Sequence, residues 1–467
     1  MNCGGGIRVA AKMRTLARAG VFFTLYLTSV VVVLGAPSLR AETLKDALVD
    51  AYSTNPGLQA QRARLRVIDE RVPQALSNWR PTVTINTKVG VEHEDKVSAK
   101  GVKSEANGEP RSAGLTVSQP LFRGFRTQRQ TERAEHQVAA QRARLLAKEQ
   151  AILLSAVTAY MDVVQERAVL ELSLNNIQVL DRQLEATRDR FEVGELTRTD
   201  VAQAESRLQR AVANRVDAEG ALTYADAIYV NVTGHEPGDL EFPTSPTGLP
   251  NSENNVVNSA RLNSPEVISA DFDVQAAQAD VLVVRGELYP TLSLNGTISH
   301  NENGAVATET TERSVTANLK IPLYQSGSVY SRLREAQQTV SQRQSDMIGV
   351  QRDAVQQAKH AWESLATARA SKGAFEAAVT AQEIALEGTR QEAQVGARTV
   401  LDVLDAELEL LDTRVNLVRA ERDEIVASFV LLSAIGRLTA EDLTLPVEYY
   451  DFSANYGQVR GRWLGAN

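Results

Sequence analysis

Two aspartates three residues apart, Asp402 and Asp405 in the segment "RTVLDVLDAE", have the clearest potential for chemistry in this sequence. At this spacing both carboxylates project from one face of a helix. Carboxylates in a first helical turn are stabilised by the positive end of the helix dipole, and a crowded set of them attracts cations. Two interpretations stay open: ordinary solvated residues at a helix start, or part of a cation-attracting site.

Other reactive groups are scattered along the chain. The only cysteine, Cys3, lies ahead of an apolar segment. The histidines share no metal-ligand spacing and are interpreted as solvated or interfacial: His93, His136, His235, His300 and His360. We find neither a nucleophile motif nor a phosphate-binding glycine loop. The sequence therefore predicts no enzyme, no cofactor and no metal site.

Residues 1–41 are interpreted as a secretory signal peptide that ends at Ala41. A basic region precedes the apolar run "GVFFTLYLTSVVVVLG", which is short for a transmembrane anchor. Cleavage near Ala36 and translation from Met13 instead of Met1 are open alternatives. Removing residues 1–41 takes away five basic residues and no acidic ones, so the formal charge falls from −8 to −13. This acidic balance argues against a nucleic-acid partner.

The remaining chain is a tandem duplication. Pro56 aligns with Pro265 at an offset of 209 residues, and Gly194 aligns with Gly396 at an offset of 202. The halves therefore differ by one seven-residue length change. They meet in "PGDLEFPTSPTGLPNSENN", whose prolines and polar residues are typical of a linker. We predict a first repeat over 42–250, a second over 251–450, and a C-terminal tail over 451–467.

Each half has two segments of alternating apolar and polar residues, which predict strands over about 81–91, 112–121, 290–300 and 314–323. A strand of about ten residues can cross a bilayer when tilted. An antiparallel sheet with one wet face would show the same alternation. The loops that join each pair of strands are too polar for lipid. In lipid, four strands would leave unpaired edges, so several chains would have to pool their strands.

Long helices account for most of the other residues. Prolines are absent between Pro120 and Pro237 and between Pro322 and Pro446. The segment from 125 to 192 predicts a helix about 100 Å long, flanked by helical stretches over about 43–78 and 198–232. Its apolar residues keep three-four spacing, which fits a coiled-coil seam or the core of a helical bundle. This row comprises Leu153, Val157, Tyr160, Val164, Leu170, Leu174, Ile177 and Leu184.

Helical hairpins are predicted where the long helices end. Gly194 and Gly396 suit the left-handed position that closes a helix. Thr197 precedes Asp200 by three residues, as Thr399 precedes Asp402, and this spacing predicts capping boxes that start the next helix.

In their order and spacing these features resemble the TolC-like outer-membrane efflux proteins, over about residues 42 to 450. The resemblance rests on the duplicated halves, the strand-to-helix switches "SQPLFRG" and "KIPLYQSG", the two VGxxT turns and "RTVLDVLDAE". It implies a mainly α fold with a small β part, in which three chains share a 12-stranded β-barrel in the outer membrane. Tandem long helical hairpins would form an α-barrel that extends through the periplasm, where the C-terminal tail would also lie.

The resemblance also implies a function and partners. The homotrimer would be the passive outer-membrane channel of a tripartite export system, fed by an inner-membrane transporter and a periplasmic adaptor protein and surrounded by outer-membrane lipid. Multidrug efflux and type I protein secretion stay open as its task. The alternative is a periplasmic coiled-coil adaptor or scaffold without its own pore, which would not need four strands with apolar faces.

Site residues follow from the resemblance position by position. It implies a pore constriction at Asp402 and Asp405, restrained by Thr199, Asp200 and Arg398. Adaptor-docking turns would comprise Val193, Gly194, Thr197, Val395, Gly396 and Thr399. The strand-to-helix switches would be marked by Pro120, Gly124, Pro322 and Gly327. One departure is Ala393, where the best-known member of the family has a tyrosine, so we expect one closing hydrogen bond to be missing and Asp200 with Arg398 to be more important.

Overall fold

The computed structural model describes residues 41–303 and 308–465. The predicted signal peptide, with Cys3 and the alternative start at Met13, lies outside the described residues except for Ala41. From that residue onward the chain forms one compact unit.

Helices make up most of this unit, as expected for a mainly α fold with a small β part. Their bounds are α1 (Leu44–Thr54), α2 (Pro56–Asp69), α3 (Arg71–Leu76), α4 (Arg126–Glu192), α5 (Arg198–Thr233), α6 (Glu253–Asn263), α7 (Pro265–Arg285), α8 (Ser328–Gln394), α9 (Val400–Ala434) and α10 (Ala454–Arg460). Short 3-10 helices follow α3 and α7 at Ser77–Trp79 and Gly286–Leu288. Among the described residues, no helix combines the length and the apolar character needed to cross a membrane.

The duplication is visible in the helices themselves. Both α4 and α8 have 67 residues, and their first and last residues lie 202 positions apart. Each is about 100 Å long and packs against the helix that follows it, α5 or α9. The described chain therefore contains two equivalent helical hairpins, α4–α5 and α8–α9. The boundary between the two repeats near residue 250 stays a prediction.

The helical stretch predicted over about 43–78 consists of three helices, α1, α2 and α3, followed by a short 3-10 helix. Asn55 ends α1 and caps α2, because its side chain accepts a hydrogen bond from the Gly57 backbone at 2.9 Å. Pro56 then occupies the first turn of α2, where its missing N–H costs nothing. Pro265 begins α7 in the same way. The paired prolines that reveal the duplication thus mark helix starts.

The strands form two sheets. Their bounds are β1 (Thr82–Val89), β2 (Glu92–Val97), β3 (Lys103–Gly108), β4 (Arg111–Arg123), β5 (Thr291–Asn303) and β6 (Thr308–Lys320). Four of them form an antiparallel sheet in the order β1-β4-β5-β6. These correspond to the four predicted strands. Strands β1 and β6 are the edges of this sheet.

The register of this sheet gathers apolar side chains on one face. Ile85, Leu115 and Ile298 lie side by side on β1, β4 and β5, and the neighbouring row contains Thr84, Thr116 and Thr297. Directly opposed residues share a face, and successive residues alternate between faces. The sheet therefore has one apolar and one polar face, as the alternating sequence predicts.

A second sheet occupies a segment that we expected to be a polar loop. Strands β2 and β3 form a separate antiparallel hairpin, closed by a turn in which the Gly101 amide donates to the Ser98 carbonyl at 2.8 Å. The polar side chains do not prevent strand formation, because the backbone supplies the hydrogen bonds of the ladder. Polarity of this segment was therefore a poor guide to its secondary structure.

The main hydrophobic core lies where α1, α2, α4, α5, α6, α8 and α9 meet. Leu153, Val157 and Tyr160 of the predicted apolar row are fully buried in it, whereas Leu174 is 42% exposed. The Tyr160 hydroxyl donates to the Glu42 carbonyl at 2.9 Å, which fixes the start of the described chain to α4. The first part of the row is therefore bundle core within a single chain.

The C-terminal tail packs against the same body. Asn455 donates to the Asp69 carboxylate at 2.8 Å, and Arg460 pairs with Glu135 at 3.1 Å. The Arg80 guanidinium lies over the Trp463 ring, 4.9 Å from its centroid. These contacts tie the tail to α2 and α4 and to the segment just before β1.

Candidate functional site

The two helical hairpins end in matching turns. Gly194 and Gly396 have φ values of 83° and 76°, a left-handed conformation that side chains other than glycine rarely adopt. The next amide closes each helix: Glu195 donates to the Arg190 carbonyl and Ala397 donates to the Glu392 carbonyl, both at 2.9 Å. This six-residue closure is typical of a glycine-terminated helix.

Both predicted capping boxes are confirmed. The Thr197 amide donates to the Asp200 carboxylate at 2.8 Å, and the Asp200 amide donates to the Thr197 hydroxyl oxygen at 3.3 Å. Thr399 and Asp402 repeat this arrangement at the same two distances. Hydrogen bonds from the threonine side chain and backbone lower the pKa of Asp200, and those from the backbone and side chain of Thr399 lower the pKa of Asp402. Both carboxylates therefore start helices as anions at neutral pH.

The two aspartates predicted to line the pore have different partners. Asp402 closes its own capping box, whereas Asp405 forms an ion pair with Arg207 of α5. Asp405 therefore connects the second helical hairpin to the first. Sequence reasoning did not find Arg207, since it lies 198 residues from Asp405.

The predicted restraining residues are not brought together within one chain. Arg398 pairs with Glu392 at 2.9 Å across its own turn, while Asp200 bonds to Thr197. Thr199 is exposed in the first turn of α5. A link between Asp200 and Arg398 therefore stays a prediction.

Position 393 takes part in apolar packing. Ala393 is partly buried against a small cluster that contains Leu386, Val403 and Leu410. A methyl group at this position supplies no hydrogen bond to α9. The predicted loss of a closing hydrogen bond at this position stays a prediction.

Each turn also presents an exposed valine beside its glycine. Val193 is 72% exposed and Val395 is 80% exposed. No side chain crowds the glycines, since a Cβ added at Gly194 or Gly396 would have no neighbour within 4 Å. An exposed valine side chain therefore lies at the end of each hairpin.

Near its turn, each hairpin has an equivalent ion pair that joins its two helices. Arg188 pairs with Glu205 in the first hairpin, and Arg390 pairs with Glu407 at 3.0 Å in the second. The Glu407 side chain is only 6% exposed, whereas that of Glu205 is 48% exposed. Arg390 lies 202 positions after Arg188, and Glu407 lies 202 positions after Glu205. This shared offset was the sequence signal that could have revealed the repeated ion pair.

The two strand-to-helix switches differ from each other. Strand β4 continues through Pro120 to Arg123, with a register shift against β5 between Pro120 and Phe122. Strand β6 ends at Lys320, before Pro322. Beyond Ser118, β4 pairs with β5 alone, and this pairing extends it to Arg123. The pairing of β6 with β5 ends at Lys320.

Glycines turn the chain at both switches. Gly124 has φ of 62° and Gly327 has φ of 73°. A Cβ added at Gly124 would lie 2.3 Å from the Gly286 carbonyl oxygen, whereas one added at Gly327 would meet nothing within 4 Å. Gly124 is therefore required by close packing as well as by backbone conformation.

Comparison with known proteins agrees with this architecture. The family model for outer membrane efflux proteins matches residues 47–234 and 256–437. Outer membrane efflux protein BepC of Brucella suis biovar 1 is 35% identical over 93% of this chain and 94% of its own length. Outer membrane protein TolC of Vibrio cholerae is 26% identical over 86% of this chain and 92% of its own.

Solved structures show the same fold. The CmeC outer membrane channel of Campylobacter jejuni superposes with a TM-score of 0.76 at 15% identity, over 90% of this chain and 89% of that one. The two matched regions of the family model coincide with the two helical repeats. This chain belongs to the outer membrane efflux protein family, and its fold is that of outer-membrane channels.

Proposed function

We propose that three copies of this chain form a passive export channel in the outer membrane, which receives substrates from an inner-membrane transporter through a periplasmic adaptor. The observation that carries this proposal is a four-stranded sheet with one apolar face and two open edges. The family membership supports the export role.

The open edges argue for assembly. Unpaired backbone groups cannot remain exposed within lipid, so β1 and β6 need partners from other copies. Pairing β6 of one copy with β1 of the next continues the antiparallel sheet, and three copies close it at twelve strands. The apolar rows would then face lipid and the polar rows would face the channel.

The long helices provide the rest of the conduit. Each copy contributes α4, α5, α8 and α9, so that three copies place twelve helices around one axis. Helices about 100 Å long reach far from the membrane into the periplasm. Their turns, with the exposed Val193 and Val395, would contact the adaptor through the docking set of Val193, Gly194, Thr197, Val395, Gly396 and Thr399.

The same turns would hold the gate. Asp402 and Asp405 from three copies would place six carboxylates around a narrow opening, and such rings favour cations. Thr199, Asp200 and Arg398 would restrain the closed state through contacts between neighbouring copies. The capping boxes keep Asp200 and Asp402 at fixed positions for this purpose.

The mass of the purified complex tests the proposal. In detergent that preserves channel activity, we expect the mass of three mature chains and discrete conductance steps in planar bilayers. A monomer that conducts, or a trimer that never conducts, would contradict it. Cross-linking in cells, followed by identification of the bound transporter, then assigns the channel to small-molecule efflux or to protein secretion. A periplasmic scaffold without a pore would give no conductance.

A further inference from the structure

Three potential metal ligands from distant parts of the chain converge beside the end of α5. They are Glu42 at the start of the described chain, Asp50 on α1 and His235 just after α5. The His235 Nε2 atom lies 3.1 Å from Asp50 Oδ2 and 3.8 Å from Glu42 Oε1. One ligand atom of each residue lies within 4.8 Å of the other two. Sequence spacing could not reveal this cluster, because Glu42 and His235 lie far apart in the chain.

The orientation of the imidazole ring is fixed by its other nitrogen. His235 Nδ1 lies 2.9 Å from the Glu236 carbonyl oxygen, which can only accept a hydrogen bond. Nδ1 therefore carries a proton, and Nε2 faces the two carboxylates, where it can donate its own proton to Asp50 at 3.1 Å. A divalent cation between the three residues would take the place of that proton and pair with both carboxylates. A hydrogen bond from Nδ1 to a carbonyl is also the usual way in which a metal-binding histidine is oriented.

The Glu42 carboxylate is held in place by outer contacts. Its Oε2 accepts a hydrogen bond from the Gly238 amide at 2.9 Å, and its Oε1 accepts one from the Tyr229 hydroxyl. Tyr229 is fully buried in the main core. The Glu42 side chain is 14% exposed, while those of Asp50 and His235 are about two-fifths exposed, at 40% and 41%. The Glu42 carboxylate is thus held rigidly by its hydrogen bonds, while solvent can reach Asp50 and His235.

We propose that Glu42, Asp50 and His235 bind a divalent transition-metal ion such as Zn²⁺, with water completing the coordination. Ligand atoms around tetrahedral zinc, at metal distances of about 2.0–2.2 Å, lie about 3.3–3.6 Å apart. The separations of 3.1 and 3.8 Å from His235 Nε2 bracket this range, and the third separation, between the two carboxylate ligand atoms, is within 4.8 Å. One nitrogen and two carboxylate oxygens are ligands that zinc accepts in proteins.

The metal would link the N-terminal segment of the exported chain to α1 and to the end of α5. Glu42 directly follows the predicted cleavage site, and its backbone already pairs with the loop after α5, since its amide donates to the Asp239 carbonyl at 2.7 Å. A bound ion would connect this first residue to α1 and to the end of α5 through side chains. This site lies outside the turns that carry the proposed gate.

The test uses the full mature protein, purified in detergent and stripped of metal, then titrated with Zn²⁺ by calorimetry. His235→Gln should remove one zinc site per chain and abolish the zinc-dependent rise in the melting temperature. His300→Gln is the matched control, because His300 Nε2 also faces the carboxylates of Glu302 and Glu309, at 3.5 and 3.6 Å. Among the described residues, these three do not gather within 4.8 Å of one another, as the three proposed ligands do. The control variant should leave the site and the thermal shift intact.

Anomalous diffraction at the zinc edge locates the ion directly. A peak among Glu42, Asp50 and His235 is expected in zinc-soaked crystals. The proposal is overturned if zinc-saturated crystals show no peak at that position, or if His235→Gln binds zinc with the stoichiometry of the unmodified chain. Removing the outer hydrogen bond with Tyr229→Phe should weaken binding by about 10- to 100-fold.

Discussion

Arg207 on α5 forms an ion pair with Asp405 on α9, and this contact joins the ends of the two helical hairpins of one chain. The Arg207 side chain is 26% exposed, so the pair is partly shielded from solvent. Asp405 is one of the two aspartates that we propose to line the constriction. The Asp405 carboxylate would therefore line the channel opening and at the same time hold α9 to α5 through its ion pair with Arg207.

Arg207→Ala should loosen the closed tip, because it frees α9 from α5 and leaves the Asp405 charge unpaired. We expect a higher single-channel conductance in planar bilayers at unchanged trimer yield. Arg188→Ala is the control, since Arg188 pairs with Glu205 within one hairpin and does not join the two. Equal conductance changes in both variants would show that the Arg207–Asp405 ion pair between the hairpins does not hold the tip closed.

Gly124→Ala should prevent correct assembly, whereas Gly327→Ala should be tolerated. Both glycines have positive φ, which costs an alanine about 1–2 kcal/mol. Only at Gly124 would the new Cβ also collide with a backbone, at 2.3 Å from the Gly286 carbonyl oxygen. Heat-resistant trimers on gels provide the measurement. Similar trimer yields from the two variants would contradict the close packing at the first switch.

Features set by local chemistry were predictable from the sequence. The capping boxes at Thr197 and Thr399 and the left-handed glycines at the turns depend on residues within one helical turn, and the structure confirms them. The apolar and polar faces of the sheet were equally readable, because strand periodicity alone decides them. Repeat matching paired Pro56 with Pro265, and the structure adds that these two prolines start α2 and α7.

Features set by long-range contacts were not predictable. Arg207 meets Asp405 only after two hairpins have packed together, and no spacing rule connects positions 198 residues apart. The same holds for the approach of His235 to Glu42. The β2–β3 hairpin was missed for another reason: its polar composition indicated a loop, although backbone pairing suffices to form a strand.

Arginine substitutions should separate the two faces of the sheet. Val83 and Ile85 are 62% and 74% exposed on the apolar face, where an arginine near the bilayer centre should cost about 2–4 kcal/mol. Thr84→Arg places the same side chain on the polar face of the same strand. We therefore expect Ile85→Arg to reduce trimer assembly in cells and Thr84→Arg to preserve it. The proposed lipid face would be wrong if both variants assembled equally.

Stability should fall as pH rises through the titration of Glu149. Burial raises the pKa of this side chain above the ordinary 4.5, against the opposing effects of its hydrogen bond from the Ala440 amide and of Arg62. Between 4.5 and the raised pKa, the folded chain binds more protons than the unfolded one. The free energy of unfolding therefore decreases with increasing pH across that window.

Glu149→Gln removes this titration while retaining an oxygen that can accept from Ala440. The melting temperature of the variant, measured from pH 4.5 upward, should depend less on pH than that of the unmodified chain. Identical pH profiles for the two proteins would show that the buried carboxyl does not contribute to the pH dependence of stability.

Removing the charge of both proposed pore aspartates should reduce cation selectivity and block by multivalent cations. Asparagine at positions 402 and 405 preserves side-chain size and can still accept the capping hydrogen bond from Thr399, so trimer formation should be unaffected. Reversal potentials in a salt gradient and block by a trivalent cation are the measurements. Added salt should weaken the block in the unmodified channel, because screening reduces attraction to the carboxylates.

Asp200→Asn provides the control for this last prediction. It removes one carboxylate from an equivalent capping box on the first hairpin, where the aspartate is proposed to restrain the gate and not to line it. Its conductance should rise while its selectivity stays that of the unmodified channel. If the double variant at 402 and 405 instead retains full selectivity and block, these aspartates are ordinary helix-start residues, and the constriction must be formed by other side chains.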